Sequence, residues 1–104
     1  MVRHIVCFKL RGSDAERRQA CEKFAAALRA LPEQIDCLHS MEVGINENDS
    51  EEWDLVLTAT VGSMAEVETY ARHPAHVAAA AIVAPLREAR ACVDYYLPGS
   101  ETQR

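Results

Sequence analysis

The first ten residues constrain the fold most. In Val2-Arg3-His4-Ile5-Val6-Cys7-Phe8-Lys9-Leu10, an extended backbone puts Val2, His4, Val6, Phe8 and Leu10 on one face and Ile5 and Cys7 on the other. Both faces therefore carry apolar groups. The segment Trp53 to Val61 repeats the pattern, with Trp53, Leu55, Leu57, Ala59 and Val61 on one side and Val56, Thr58 and Thr60 on the other. Strands of this kind belong to a sheet covered on both sides, and one layer of helices can cover only one of them.

The remaining chain supplies that layer. Ser13-Asp14-Ala15-Glu16 matches a capping box and predicts a helix from there to about Leu31, with Ala20, Phe24, Ala27, Leu28 and Leu31 as its inner stripe and Pro32 as its stop. Residues 37–45 read as a second strand, and Asn46 to Glu52 as a polar hairpin loop whose carboxylates do not have the spacing of a calcium loop. A second capping box, Ser63-Met64-Ala65-Glu66, opens a short helix with Met64, Val67 and Tyr70 inward. Pro74 then starts a new helix with His73 as its cap, and the run Val77 to Ala84 is apolar on nearly every side. A last strand is expected over 89–97, followed by a loose tail, 98–104. The order strand, helix, strand, strand, helix, strand is the ferredoxin-like split βαβ plan, an α+β fold with an antiparallel sheet. Its second apolar sheet face predicts a homodimer in which two sheets pack face to face as an α/β barrel.

With 104 residues and 49% hydrophobic content, the chain forms one domain, and a chain of this size buries roughly 65% of the surface exposed when unfolded. Its net charge of -5 and the lack of a basic patch argue against nucleic acid as a partner. Arg11, Arg17 and Arg18 are interleaved with Asp14 and Glu16. There is no apolar run of the ~20 residues a membrane span requires, and a strand pattern stands where a signal peptide would be, so the expected location is cytoplasmic. Cys7, Cys21, Cys37 and Cys92 are widely spaced and read as free thiols buried as small hydrophobes.

Chemistry concentrates in Tyr70-Ala71-Arg72-His73-Pro74-Ala75-His76-Val77. A neutral histidine suits general base work, and a tyrosine hydroxyl beside it can orient the ring or stabilise a developing oxyanion, which together fit proton abstraction next to a carbonyl. In the competing structural reading His73 caps a helix, His76 bonds a backbone group, and Tyr70 is core with its hydroxyl satisfied. His4 faces inward and needs a partner under either reading. Metal binding by His73 and His76 is disfavoured, because the proline between them fixes His73 outside the helix, so the two rings need not share a face, and no carboxylate or cysteine stands nearby to complete a set. Without a Gly-rich loop there is no dinucleotide or phosphate site, and no cofactor is implied.

These segments resemble the stress-responsive A/B barrel family, the Dabb domains, over about residues 1 to 97. The resemblance rests on Val2-Arg3-His4-Ile5-Val6 with Phe8-Lys9-Leu10, on Leu28-Arg29-Ala30-Leu31-Pro32, on Trp53-Asp54-Leu55-Val56-Leu57, on Tyr70 through Val77, and on Val93-Asp94-Tyr95. It implies a small dimeric α+β barrel. More distantly the chain is similar to olivetolic acid cyclase, a plant member that closes a polyketide ring by aldol chemistry. That resemblance places catalytic roles on Tyr70 and His76 and a pocket role on His4. It puts Leu55 where the cyclase has another pocket histidine. Two function classes follow. One is a dimeric protein that binds a small apolar or aromatic molecule between helices and sheet, with His4, His73 and Leu55 as ligand-binding residues. The other is a cofactor-free lyase, cyclase or isomerase using His76 and Tyr70. The small monooxygenases that act on quinone-like or haem substrates share the barrel, but their polar set is not found here.

Overall fold

A computed structural model describes residues 1–99; the expected tail, 98–104, lies outside the described residues from position 100 onward. Strand β1 (Val2–Leu10) leads through helix α1 (Asp14–Arg29) to β2 (Leu38–Ile45) and β3 (Leu55–Val61). Helices α2 (Met64–Arg72) and α3 (Pro74–Ala81) follow, then β4 (Arg87–Tyr96). The four strands form one antiparallel sheet in the order β2-β3-β1-β4, so the first strand is central and the last is an edge. This is the ferredoxin-like α+β arrangement.

The alternation in β1 has the expected consequence. Val2, His4, Val6, Phe8 and Leu10 are buried beneath the helices, and the residues between them are half-buried on the outer face. Leu55, Leu57, Ala59 and Val61 of β3 join the first set. Helix α1 begins at a complete capping box, with Ser13 accepting from the Glu16 amide and Glu16 accepting from the Ser13 amide. Its buried face is Cys21, Phe24, Ala25 and Leu28, whereas the expected stripe residues Ala20 and Ala27 are only half-buried. The edge-to-face contact of Phe24 with Phe8, centroids 5.1 Å apart, sets this rotation, since the largest side chain of the helix needs the deepest site. The helix ends at Arg29, two residues early, and Pro32 sits in a single 3-10 turn, Leu31–Glu33, that buries Leu31.

Other boundaries shift for similar local reasons. β3 starts at Leu55, although Asp54 already bonds both neighbours: its amide donates to the Phe8 carbonyl at 2.8 Å and its carbonyl accepts from Asn46 at 2.9 Å. β4 spans Arg87–Tyr96, two residues earlier at its start than the apolar pattern suggests and one shorter at its end. Ser63 caps α2, but the Glu66 carboxylate accepts from the Gly62 amide at 2.8 Å, one residue before the cap. Met64, expected inward, is exposed, and α3 stops at Ala81 with Val77 exposed and Ala79 buried. Of the cysteines, all free, only Cys21 is buried, its thiol pushed up to about 11 by burial. Cys92 is exposed, because the edge strand β4 is poorly covered even on its helix side.

Asp54 ties three elements together. Its carboxylate accepts from the Leu10 amide at 2.7 Å and from Arg17 Nε at 3.2 Å, joining the end of β1, the start of β3 and the first turn of α1. Replacing it with alanine strands a backbone donor on buried Leu10, so Asp54→Ala should cost about 2 kcal/mol in chemical denaturation. A loss below ~0.5 kcal/mol would show that water takes over the Leu10 amide.

A histidine and tyrosine cluster at the helix break

Two helices meet at His73. Its extended backbone, φ -61° and ψ 136°, ends α2 and caps α3, and Pro74 occupies the first position of α3. His73 Nδ1 accepts from the Ala75 amide at 3.0 Å. In an unbroken helix that amide would have bonded the Ala71 carbonyl. The freed carbonyl is taken by His76, whose Nδ1 donates to it at 2.9 Å. The break thus positions the His76 ring and selects its tautomer: Nδ1 carries the hydrogen and Nε2 keeps a free lone pair.

Six residues apart in one helix, Tyr70 and His76 would point in different directions. Across the break their rings lie 4.6 Å apart. His4, from the centre of β1, meets Tyr70 edge-on with centroids 5.7 Å apart, so three sequence-predicted residues form one contiguous cluster. His4 Nδ1 lies 2.5 Å from Asp94 Oδ1 on the adjacent strand, where the two residues are register partners. A carboxylate only accepts, so Nδ1 holds the hydrogen. His4 thus has the partner its burial demanded.

Electrostatics divide the roles. Burial lowers the His76 pKa and keeps the ring neutral, with the bond to Ala71 opposing. Burial also raises the Tyr70 pKa, so the phenol keeps its proton through the physiological range. Arg90, on β4, acts on both groups with its positive charge. The Tyr70 hydroxyl is buried without a hydrogen-bond partner among the described residues, contrary to the structural reading in which it is satisfied. An orphaned buried hydroxyl costs about 1–3 kcal/mol.

The other two candidates do not join this cluster. His73 caps α3. Leu55 is buried opposite Phe8, four residues along β3 from Ala59, the partner of His4. Asp94 and Arg90 were given no role by sequence reasoning, although their even spacing on β4 puts both on the face that His4 occupies. Elsewhere, a polar groove of about 810 Å³ lies between α1 and the 46–54 loop. Its charges are largely paired, Lys9 with Glu52, Arg17 with Asp14 and Asp54, and Arg18 with Glu47.

The model of the stress responsive A/B barrel domain matches residues 2–97. The chain belongs to the stress responsive A/B barrel family. It is similar to a dimeric ferredoxin-like protein of unknown function from Bacteroides fragilis, with 42% identity, a TM-score of 0.90, and coverage of 92% of this chain and 95% of that one. A dimeric ferredoxin-like protein from Thermobifida fusca is 29% identical with a TM-score of 0.77, covering 92% of this chain and 90% of that chain. The hydroxynitrile lyase of Passiflora edulis has the same fold at 16% identity, with a TM-score of 0.73 and 94% of each chain covered. No protein of curated function matches the chain. No helix among the described residues of this A/B barrel protein is long and apolar enough to cross a membrane.

The lowered His76 pKa makes stability depend on pH. Between the folded pKa and about 6.5, the unfolded chain binds a proton that the native ring refuses, so native stability is lost as pH falls. Melting temperature should drop from about pH 7.5 to about pH 5.5 in the parent protein and drop less in His76→Gln. Parallel slopes for the two would refute the assignment.

Proposed function

We propose that the chain works as a homodimer which binds a small apolar or aromatic molecule bearing a carbonyl group at the His4, Tyr70 and His76 cluster, and that His76 there acts as a cofactor-free general base. The observation that carries this reading is the buried Tyr70 hydroxyl with no partner among the described residues, next to a neutral imidazole whose Nδ1 is bonded and whose Nε2 keeps its lone pair. A hydroxyl kept at a cost to stability has a ready role in donating to a ligand oxygen. As His76 Nε2 removes a proton from the carbon beside the carbonyl, negative charge develops on that oxygen, where Tyr70 can stabilise it. The Asp94 carboxylate holds the His4 ring against Tyr70, and Arg90 adds positive charge. A lyase or isomerase reaction fits these groups, and the hydroxynitrile lyase with this fold lends the fold alone.

The dimer follows from the outer sheet face. Ile5, Cys7, Val56, Ala91, Val93 and Tyr95 share it, with Val93 62%, Tyr95 41% and Val56 36% exposed in one protomer. Arg3 Nε, on the same face, is buried without a partner among the described residues. A second copy packed on that face covers the apolar side chains, and two relatives are themselves described as dimeric. The cytoplasm is the proposed location, and the domain is proposed to end near residue 97.

Two experiments test these statements. Sedimentation should give a dimer at micromolar concentration with more than ~1,200 Å² buried in total, and Val56→Asp should dissociate or unfold it because a charge is left unpaired at the interface; an unchanged dimer with an unchanged melting temperature removes Val56 from the interface. For the chemistry, exchange of the α-protons of small aromatic ketones into deuterated water is followed by NMR. His76→Ala should slow exchange by roughly 10²-fold or more, and Tyr70→Phe by less without lowering stability. Equal exchange in parent and His76→Ala proteins would reduce the proposal to ligand binding.

A further inference from the structure

The register of the two neighbouring strands brings together a second set of groups around His4, and its cysteine has no part in the proton-transfer reading. His4 faces Asp94, Val6 faces Cys92, and the Cys-x-Asp spacing puts Cys92 and Asp94 on one face of β4. One ligating atom from each of His4, Cys92 and Asp94 lies within 4.8 Å of the others. Cys92 Sγ is 3.6 Å from His4 Nδ1 and 3.7 Å from Asp94 Oδ2.

We propose that His4, Cys92 and Asp94 form a three-ligand site for a divalent cation of the zinc class. Around tetrahedral zinc, with bonds of about 2.3 Å to sulfur and about 2.0 Å to nitrogen and oxygen, a sulfur ligand sits roughly 3.5 Å from its neighbours. Both sulfur distances are close to that value before any rearrangement. The oxygen facing the sulfur is Asp94 Oδ2, whereas His4 Nδ1 is bonded to Oδ1 at 2.5 Å, so that short bond is given up when a cation replaces its hydrogen and the ligating nitrogen and oxygen settle roughly 3.3 Å apart. One imidazole, one thiolate and one carboxylate are the donors that suit zinc, whereas magnesium and calcium prefer oxygen alone. The histidine is rigidly placed, being 4% exposed on the central strand, while Cys92 is exposed on the edge strand and leaves the fourth coordination position open to water.

Binding changes the protonation of the ligands in a defined way. The Cys92 thiol releases its proton to solvent as the metal–sulfur bond forms. His4 gives up the hydrogen on Nδ1 to bind the metal through that atom, and the neutral ring carries its hydrogen on Nε2 instead. The cation therefore turns Nε2 of His4 from an acceptor into a donor. The site shares His4 and Asp94 with the proposed binding cluster, but cation binding does not require a reaction at His76.

Cobalt(II) is the probe, because a thiolate ligand gives it an intense near-ultraviolet charge-transfer band. Added to the purified full-length chain, cobalt(II) should produce the band at one ion per chain. Cys92→Ala and Cys92→Ser should abolish it, and Cys37→Ala should retain it. Zinc titrated by calorimetry should bind roughly 10²-fold or more weakly to Asp94→Asn than to the parent, with the fold of each variant checked by circular dichroism. No band in the parent protein, a band that survives in a folded Cys92 variant, or equal zinc affinity in Asp94→Asn would overturn the proposal.

Discussion

Pro74 lacks an amide hydrogen, and the candidate site depends on that absence. Without it the chain from Met64 to Ala81 could run as one helix, with Tyr70 and His76 on different sides. With it, His73 takes an extended backbone and caps the Ala75 amide, and Ala71 is left with a free carbonyl. His76 satisfies that carbonyl, which turns its ring towards Tyr70. One covalent feature of proline thus sets a side-chain position and a tautomer two residues away.

The structural and functional readings of these residues prove compatible. His73 is a cap, as the structural reading holds, and His76 does bond a backbone group. That bond also leaves Nε2 free and gives the ring a defined orientation. Tyr70 is core by burial, yet its hydroxyl is unsatisfied among the described residues, which a purely structural residue would avoid by being phenylalanine.

The sheet is the second organising element. β1 is hydrogen-bonded on both sides and carries His4 at its centre, with Ala59 opposite on one neighbour and Asp94 on the other. The helix face of the sheet is filled by Phe8, Phe24, Leu28 and Leu57. Its outer face stays apolar and uncovered within one protomer, a surface larger in character than single chains normally leave to water.

The sequence by itself determined the strands, the helices, the capping residue before Asp14, the break at Pro74 and the plan that follows from their order, because periodicity and capping are local properties of the chain. It also pointed to Tyr70, His76 and His4 through residue type and the family they resemble. It did not determine the rotation of α1, where the meeting of Phe24 with Phe8 moved the buried face to Cys21 and Ala25, nor the exposure of Cys92, which follows from the edge position of β4. The roles of Asp94 and Arg90 were hidden because strand register, which joins residues ninety positions apart, has no local signature. Only the tertiary structure could decide that His4 meets a carboxylate, that the Tyr70 hydroxyl goes without a partner among the described residues, and that a cysteine and an aspartate of the last strand converge on a histidine of the first.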